Sequence, residues 1–165
     1  MRDDGAMRLT GLFWISLSII IALMLTILPL PLWAAWFRPE WLVLVAIYWS
    51  IALPHRFNIG VAWLLGLLLD ALSGTILGEH AFALMLVTYI AIKLHKRIRA
   101  ANMLQQSLTL GLLVALFQAI IFAIQMVIGQ VPSSPLYWLP TVTSMLFWPW
   151  VFVILRDWRR RFKIA

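Results

Sequence analysis

Apolar residues run along this chain in long, nearly unbroken blocks, separated by short clusters of proline, glycine and charge. Read by those breakers, the blocks predict helices near Leu12–Leu30, Glu40–Leu53, Phe57–Leu72, Ala81–Leu94, Leu104–Ile128 and Leu136–Leu155. The breakers are Pro29–Pro31, Pro54–Asn58, Ser73–Glu79, His95–Asn102 and Gly129–Pro135, and none is long enough to link two domains. About 20 apolar residues cross a ~30 Å hydrocarbon core. The expectation is therefore one membrane domain over residues 1–165, an all-α integral membrane protein built as a bundle of six transmembrane helices, with a basic tail over residues 156–165. The second and third blocks are short, about 21–24 Å at 1.5 Å rise per residue. A re-entrant hairpin would carry His55 and Arg56 into the membrane, where a central arginine costs roughly 2.5–3.5 kcal/mol; two short spans that thin the bilayer locally cost less.

Composition removes the soluble alternative. The 165 residues are 64% hydrophobic and 12% charged, far below the charged quarter of ordinary globular domains. Leu12–Leu28 is longer than the core of a signal peptide and lacks a small-residue cleavage site, so it reads as a retained first span. The absence of cysteine excludes disulfides, thiol chemistry and cysteine-bound metal.

A net charge of +7 would point to nucleic acid on a soluble face, but here the cations lie between and beyond the apolar blocks and act as a topology signal. Six spans put both termini on one side. With the termini cytoplasmic, the inner segments collect Arg2, Arg8, Arg56, Lys93, Lys96, Arg97, Arg99, Arg156, Arg159, Arg160, Arg161 and Lys163, which leaves Arg38 alone outside. Tryptophans fit that frame: Trp33, Trp36, Trp41 and Trp138 near outer ends, Trp14, Trp49, Trp148, Trp150 and Trp158 near inner ends. Trp63 falls deeper, facing either the bundle or lipid.

The few polar residues within the blocks are candidates for structure or partner contact. Asp70 lies in the outer half of the third helix, with Ser73 and Gly74 at i+3 and i+4, and an intramembrane carboxylate is a functional hypothesis by default. Gln125, Ser73 and Arg38 are its candidate donors. Gly74 and Gly78 match small-xxx-small helix packing, and a glycine-permitted turn explains the same spacing. Gln118 and Gln125 share a stripe of the fifth helix, either reaching toward Asp70 or lining a groove for another chain. His55, Arg56 and Asn58 form an inner turn, with Asn58 as a helix cap, and Arg38 precedes Pro39 and Glu40 at a helix start that suits proline and acid. Arg156, Arg159, Arg160, Arg161 and Lys163 are placed for anionic lipid or a cytoplasmic partner, at roughly 1 kcal/mol each near such a surface. Pro149 is expected to kink the last span.

His55, His80 and His95 have no metal-ligand spacing, and no phosphate loop, nucleophile elbow or carboxylate pair occurs. No catalytic residue, metal or cofactor is expected.

The stretch Phe37–Phe82, with R-P-x-W, A-L-P-H-R-x-N-x-G and D-x-x-S-G-x-x-x-G, resembles the central region of the rod shape-determining MreD family, and Leu146–Phe162 resembles that family's end. The similarity extends over essentially the whole chain. It implies a multi-pass subunit of the bacterial inner (cytoplasmic) membrane, a non-enzymatic scaffold of the elongasome acting in side-wall peptidoglycan synthesis and cell shape. The implied partners are MreC most directly, with MreB, RodZ, RodA and its penicillin-binding transpeptidase in the same complex, together with membrane lipid and no nucleic acid. The family is also similar in architecture to the six-helix S components of energy-coupling-factor transporters. A small-molecule or lipid-binding transport subunit is thus the competing reading, drawing on Asp70, Gln118 and Gln125 around a cavity. The family carries no established catalytic residues onto this sequence.

Overall fold

A computed structural model describes residues 3–164, with side chains from Leu9 onward; Arg2, the Arg8 side chain and Ala165 lie outside the described residues. The order is α1 (Asp3–Ile27), α2 (Leu32–Ala35), α3 (Trp41–Ala52), α4 (Ile59–Ser73), α5 (Glu79–Ala100), α6 (Met103–Ile128), a 3-10 turn (Pro135–Trp138) and α7 (Leu139–Arg161). All elements among the described residues are helical. Segments within α1, α6 and α7 are long and apolar enough to cross a membrane, and α3 and α4 are shorter apolar helices.

Local chemistry sets several boundaries. Asn58 Oδ1 accepts from Val61 N–H at 3.0 Å to open α4, and Asn102 Oδ1 accepts from Gln105 N–H at 2.9 Å to open α6, each satisfying a donor that a helix start leaves unpaired. The structure departs from the expected elements in three places. The charged run after Leu94 is helical to Ala100 rather than a loop, and α7 runs past Leu155 to Arg161. Lysine and arginine are good helix formers and are favoured where the helix dipole is negative, so leaving the apolar block does not end the helix. α7 also continues through Pro149. The third addition is α2, one turn of helix between α1 and α3.

The architecture is organised around α3. Leu42–Ala52 are buried without interruption, because α3 packs against α1, α5 and α7 and touches α6. A helix apolar on all sides belongs in an interior. Its length is about 18 Å at 1.5 Å per residue. Outward faces belong to the surrounding helices, as with Trp63, 44% exposed on α4 beside exposed Leu64 and Leu68.

Within the core, Trp49 Nε1 donates to Ser18 Oγ at 2.9 Å, and Ser18 Oγ donates to the Ile15 carbonyl at 2.7 Å. This chain joins α3 to α1 without leaving the fully buried indole unpaired. Near the C-terminus Phe162 stacks on Trp14 at 3.7 Å between ring centres, with Trp158 edge-on to the same indole.

Candidate functional site

The most concentrated polar construction joins α4 to α5. Asp70 is fully buried, and both halves of the residue serve the turn that follows it. Its main-chain carbonyl accepts from Gly74 and Thr75 N–H, which ends α4. Its carboxylate starts α5: Oδ2 accepts from Gly78 N–H at 2.9 Å and Ala81 N–H at 3.4 Å, and Oδ1 accepts from His80 N–H at 3.0 Å and Thr75 Oγ1 at 3.0 Å. His80 Nδ1 lies 2.7 Å from the same Oδ1.

An N-cap side chain ordinarily accepts from the second or third N–H of its own helix. Here the N-cap residue is Gly78, with no side chain, and Asp70 reaches across from α4 to fill that role. A negative charge is also stabilised at the positive end of the α5 dipole. Gly74 at φ +68° and Gly78 at φ +104° are the left-handed corners of the connection, so they are turn residues and form no helix-packing stripe.

The close approach is made by Gly66 instead. A Cβ on Gly66 would overlap Ala81 Cα and lie 2.6 Å from Ala81 N and 2.9 Å from the His80 carbonyl carbon. Gly66 precedes Asp70 by four residues, one helical turn on the same face. A missing side chain thus lets the α5 backbone come near enough for a carboxylate one turn later to cap it.

The expected donors to Asp70 are not the ones found. Gln125 Nε2 donates to Glu79 Oε1 at 2.8 Å, so the amide meets the carboxylate of the first residue of α5. Arg38 Nη1 donates to the Leu28 carbonyl at 3.2 Å, bracing the α1–α3 connection. Ser73 is exposed. The sequence offered no side-chain signature for what binds Asp70, because three of its donors are backbone N–H groups. Thr75, Glu79 and His80 were passed over as site residues, although their place just after the aspartate in a tight turn puts them within its reach.

Gln118 does not reach Asp70. It is buried, its Nε2 donates to the Tyr137 carbonyl at 3.0 Å, its Oε1 accepts from Thr141 Oγ1, and Tyr137 Oη donates back to the Gln118 carbonyl at 2.9 Å. This pairing ties α6 to the start of α7. At the same end Glu40 N–H donates to the buried Ser144 Oγ at 3.0 Å, and Pro39 beside it is buried.

The opposite end is basic. His55 is exposed, while Arg56 turns inward until its Nη1 is buried with no hydrogen-bond partner among the described residues, 2.8 Å from where a Gly11 Cβ would stand. Arg160, Arg161 and Lys163 are exposed, whereas Arg156 and Arg159 are half-buried against the bundle. Among the described residues no group of three or more His, Asp or Glu could hold a metal ion.

Comparison with known proteins decides the family. The family description "rod shape-determining protein MreD" matches residues 7–158. The chain belongs to the MreD family. A curated relative, the "Rod shape-determining protein MreD" of Haemophilus influenzae, is 35% identical over 155 residues, covering 92% of this chain and 94% of the relative. No solved structure matches the chain. MreD membership and the apolar helices mark a membrane protein with a part in cell shape. The turn centred on Asp70 falls within the span matched to MreD, as do the Gln118 pairing and Arg156.

Proposed function

We propose that this chain is a non-enzymatic scaffold of the rod-shape complex: a single inner-membrane domain of six spans, α1 and α3 to α7, with both termini in the cytoplasm. It binds MreC directly and supports side-wall peptidoglycan synthesis alongside MreB, RodZ, RodA and its penicillin-binding transpeptidase. Family membership carries the reading. Two structural observations support it. The intramembrane polar residues that a catalyst or transporter would keep available, Asp70, Glu79, Gln118 and Gln125, hydrogen-bond to neighbouring helices or turns. The middle of the bundle, where a transported molecule would lie between spans, is filled by α3, including the fully buried Trp49. Among the described residues, three helices long and apolar enough to cross a membrane, with the shorter apolar α3 and α4 beside them, support the count of spans, and the cations gathered at one end support cytoplasmic termini. Arg38, Pro39, His55, Arg56 and Asn58 shape the connections that a partner would meet, and the exposed Arg160, Arg161 and Lys163 anchor the tail at the anionic inner surface.

Photo-crosslinkers placed on outward positions of α1, α4 and α7 in cells, combined with depletion, test the proposal. Crosslinks to MreC and rounding of depleted cells are expected. Rod-shaped growth with normal side-wall synthesis after depletion would reject the scaffold role.

A further inference from the structure

At the basic end of the bundle a cavity of about 160 Å³ opens among α3, α5, α6 and α7. It has several times the ~30 Å³ that a water molecule occupies in the liquid. Arg99 of α5 and Arg156 and Arg159 of α7 line it, together with Tyr48, Gln106 and Trp148. Three guanidinium groups drawn to one cavity repel one another, and nothing among the described residues neutralises them fully. Arg156 Nε meets Asp157 Oδ1 at 3.4 Å in an exposed pair, which contributes little in water. Arg99 Nη2 makes one long hydrogen bond, 3.4 Å to the Ala52 carbonyl. The Arg159 side chain has no hydrogen bond or ion pair among the described residues.

Two lining residues that are almost wholly buried leave polar atoms unpaired among the described residues. Trp148, 1% exposed, has an indole N–H with no acceptor. Gln106, 6% exposed, uses Nε2 on the Ala101 carbonyl at 3.1 Å and leaves Oε1 with no donor. Buried polar atoms in native proteins are rarely left unmatched. The vacant functions are thus mostly donors and positive charge, with one acceptor. A phosphate offers several oxygens in the geometry that guanidinium groups grip bidentately, and basic pockets between membrane helices suit lipid headgroups.

We infer that this cavity is a phosphate-binding site, in which Arg99, Arg156 and Arg159 grip a phosphate ester of a lipid headgroup or a free phosphate, with Trp148 and Gln106 in the cavity wall. The site is independent of the scaffold reading and of MreC.

The full chain, purified in a neutral detergent, is titrated with phosphatidylglycerol in mixed micelles and, separately, with inorganic phosphate against sodium chloride of equal ionic strength, reading the thermal midpoint. A saturable upward shift is expected. It should need about tenfold or more ligand, a loss of one strong contact or more, in the double variant Arg99→Gln/Arg159→Gln, and be unchanged in Lys96→Gln/Arg97→Gln, which removes the same charge from α5 outside the cavity lining. A response to phosphatidylglycerol alone identifies the headgroup as the source, and an equal response to inorganic phosphate identifies the free anion. If the glutamine pair does not fold, Arg159→Lys is read instead; keeping the charge but losing the fork, it should bind several-fold more weakly. Equal weakening in the pocket variant and the Lys96→Gln/Arg97→Gln control, or no saturable shift with either probe, would overturn the site.

Discussion

Asp70 and His80 are joined twice through one oxygen: the His80 main-chain N–H reaches Asp70 Oδ1 at 3.0 Å, and its ring Nδ1 lies 2.7 Å from the same atom. The carboxylate therefore fixes both the backbone and the side chain of the second residue of α5. Its other oxygen holds Gly78 and Ala81.

That division of labour sets the expected order of variants. Asp70→Leu strands Thr75, Gly78, His80 and Ala81 donors, at roughly 1–3 kcal/mol for each that stays buried. Asp70→Asn keeps one oxygen but points an amide NH₂ at donors on the other side, so it should fall between wild type and leucine. Thermal or denaturant midpoints of the purified protein give the ranking. An asparagine variant as stable as wild type would mean that one oxygen suffices and that the charge contributes nothing to the cap.

Gly66→Ala should be among the most damaging single-methyl additions in the chain, because the added carbon meets the α5 backbone, which cannot turn aside. Overpacking of this kind typically costs about 1–3 kcal/mol, and here it also pulls Asp70 away from its donors. Gly111→Ala provides the comparison. Its Cβ would meet the flexible Met145 Sδ at 2.6 Å, and a methionine can re-route. Comparable loss of folded yield in the two variants would contradict the distinction.

The Gln125–Glu79 contact should matter much less. Polar pairs between membrane helices average about 0.6 kcal/mol, so Gln125→Leu is expected to shift stability modestly. A double-mutant cycle with Glu79→Gln measures the coupling. A coupling as large as the whole effect of Asp70→Leu would make this pair, and not the aspartate cap, the main polar link at that end.

Reporter fusions after His95 and at the C-terminus should read cytoplasmic, and one within residues 129–135 periplasmic, as the cation distribution demands. A periplasmic C-terminus would remove the six-span arrangement.

The placement of the helices was legible because proline, glycine and charge punctuate the apolar blocks, and Asn58 marks one of the starts. Their ends were less so, since Lys96, Arg97 and Arg99 leave the apolar pattern without leaving the helix. Asp70 stood out as an anomaly in an apolar run, but its partners did not, because backbone N–H groups belong to every residue and only geometry selects them. Gly66 could have been found: a glycine one turn before a buried carboxylate marks the face where another backbone passes. The cavity at the basic end draws its residues from four helices, and no local pattern announces a meeting of Tyr48, Arg99, Gln106 and Arg159.

Because α3 is wrapped on every side by its own chain, it has no surface left to offer. Whatever grips this protein from outside must hold the encircling helices, and the sequence is thereby divided between two kinds of selection. Changes along Leu42–Ala52 would be felt as loss of protein, with fewer molecules reaching the membrane in folded form, while changes on the outward faces of α1, α4 and α7 would leave abundance intact and weaken assembly. A deep mutational scan that scores cellular level and rod shape separately would resolve the axle from the rim.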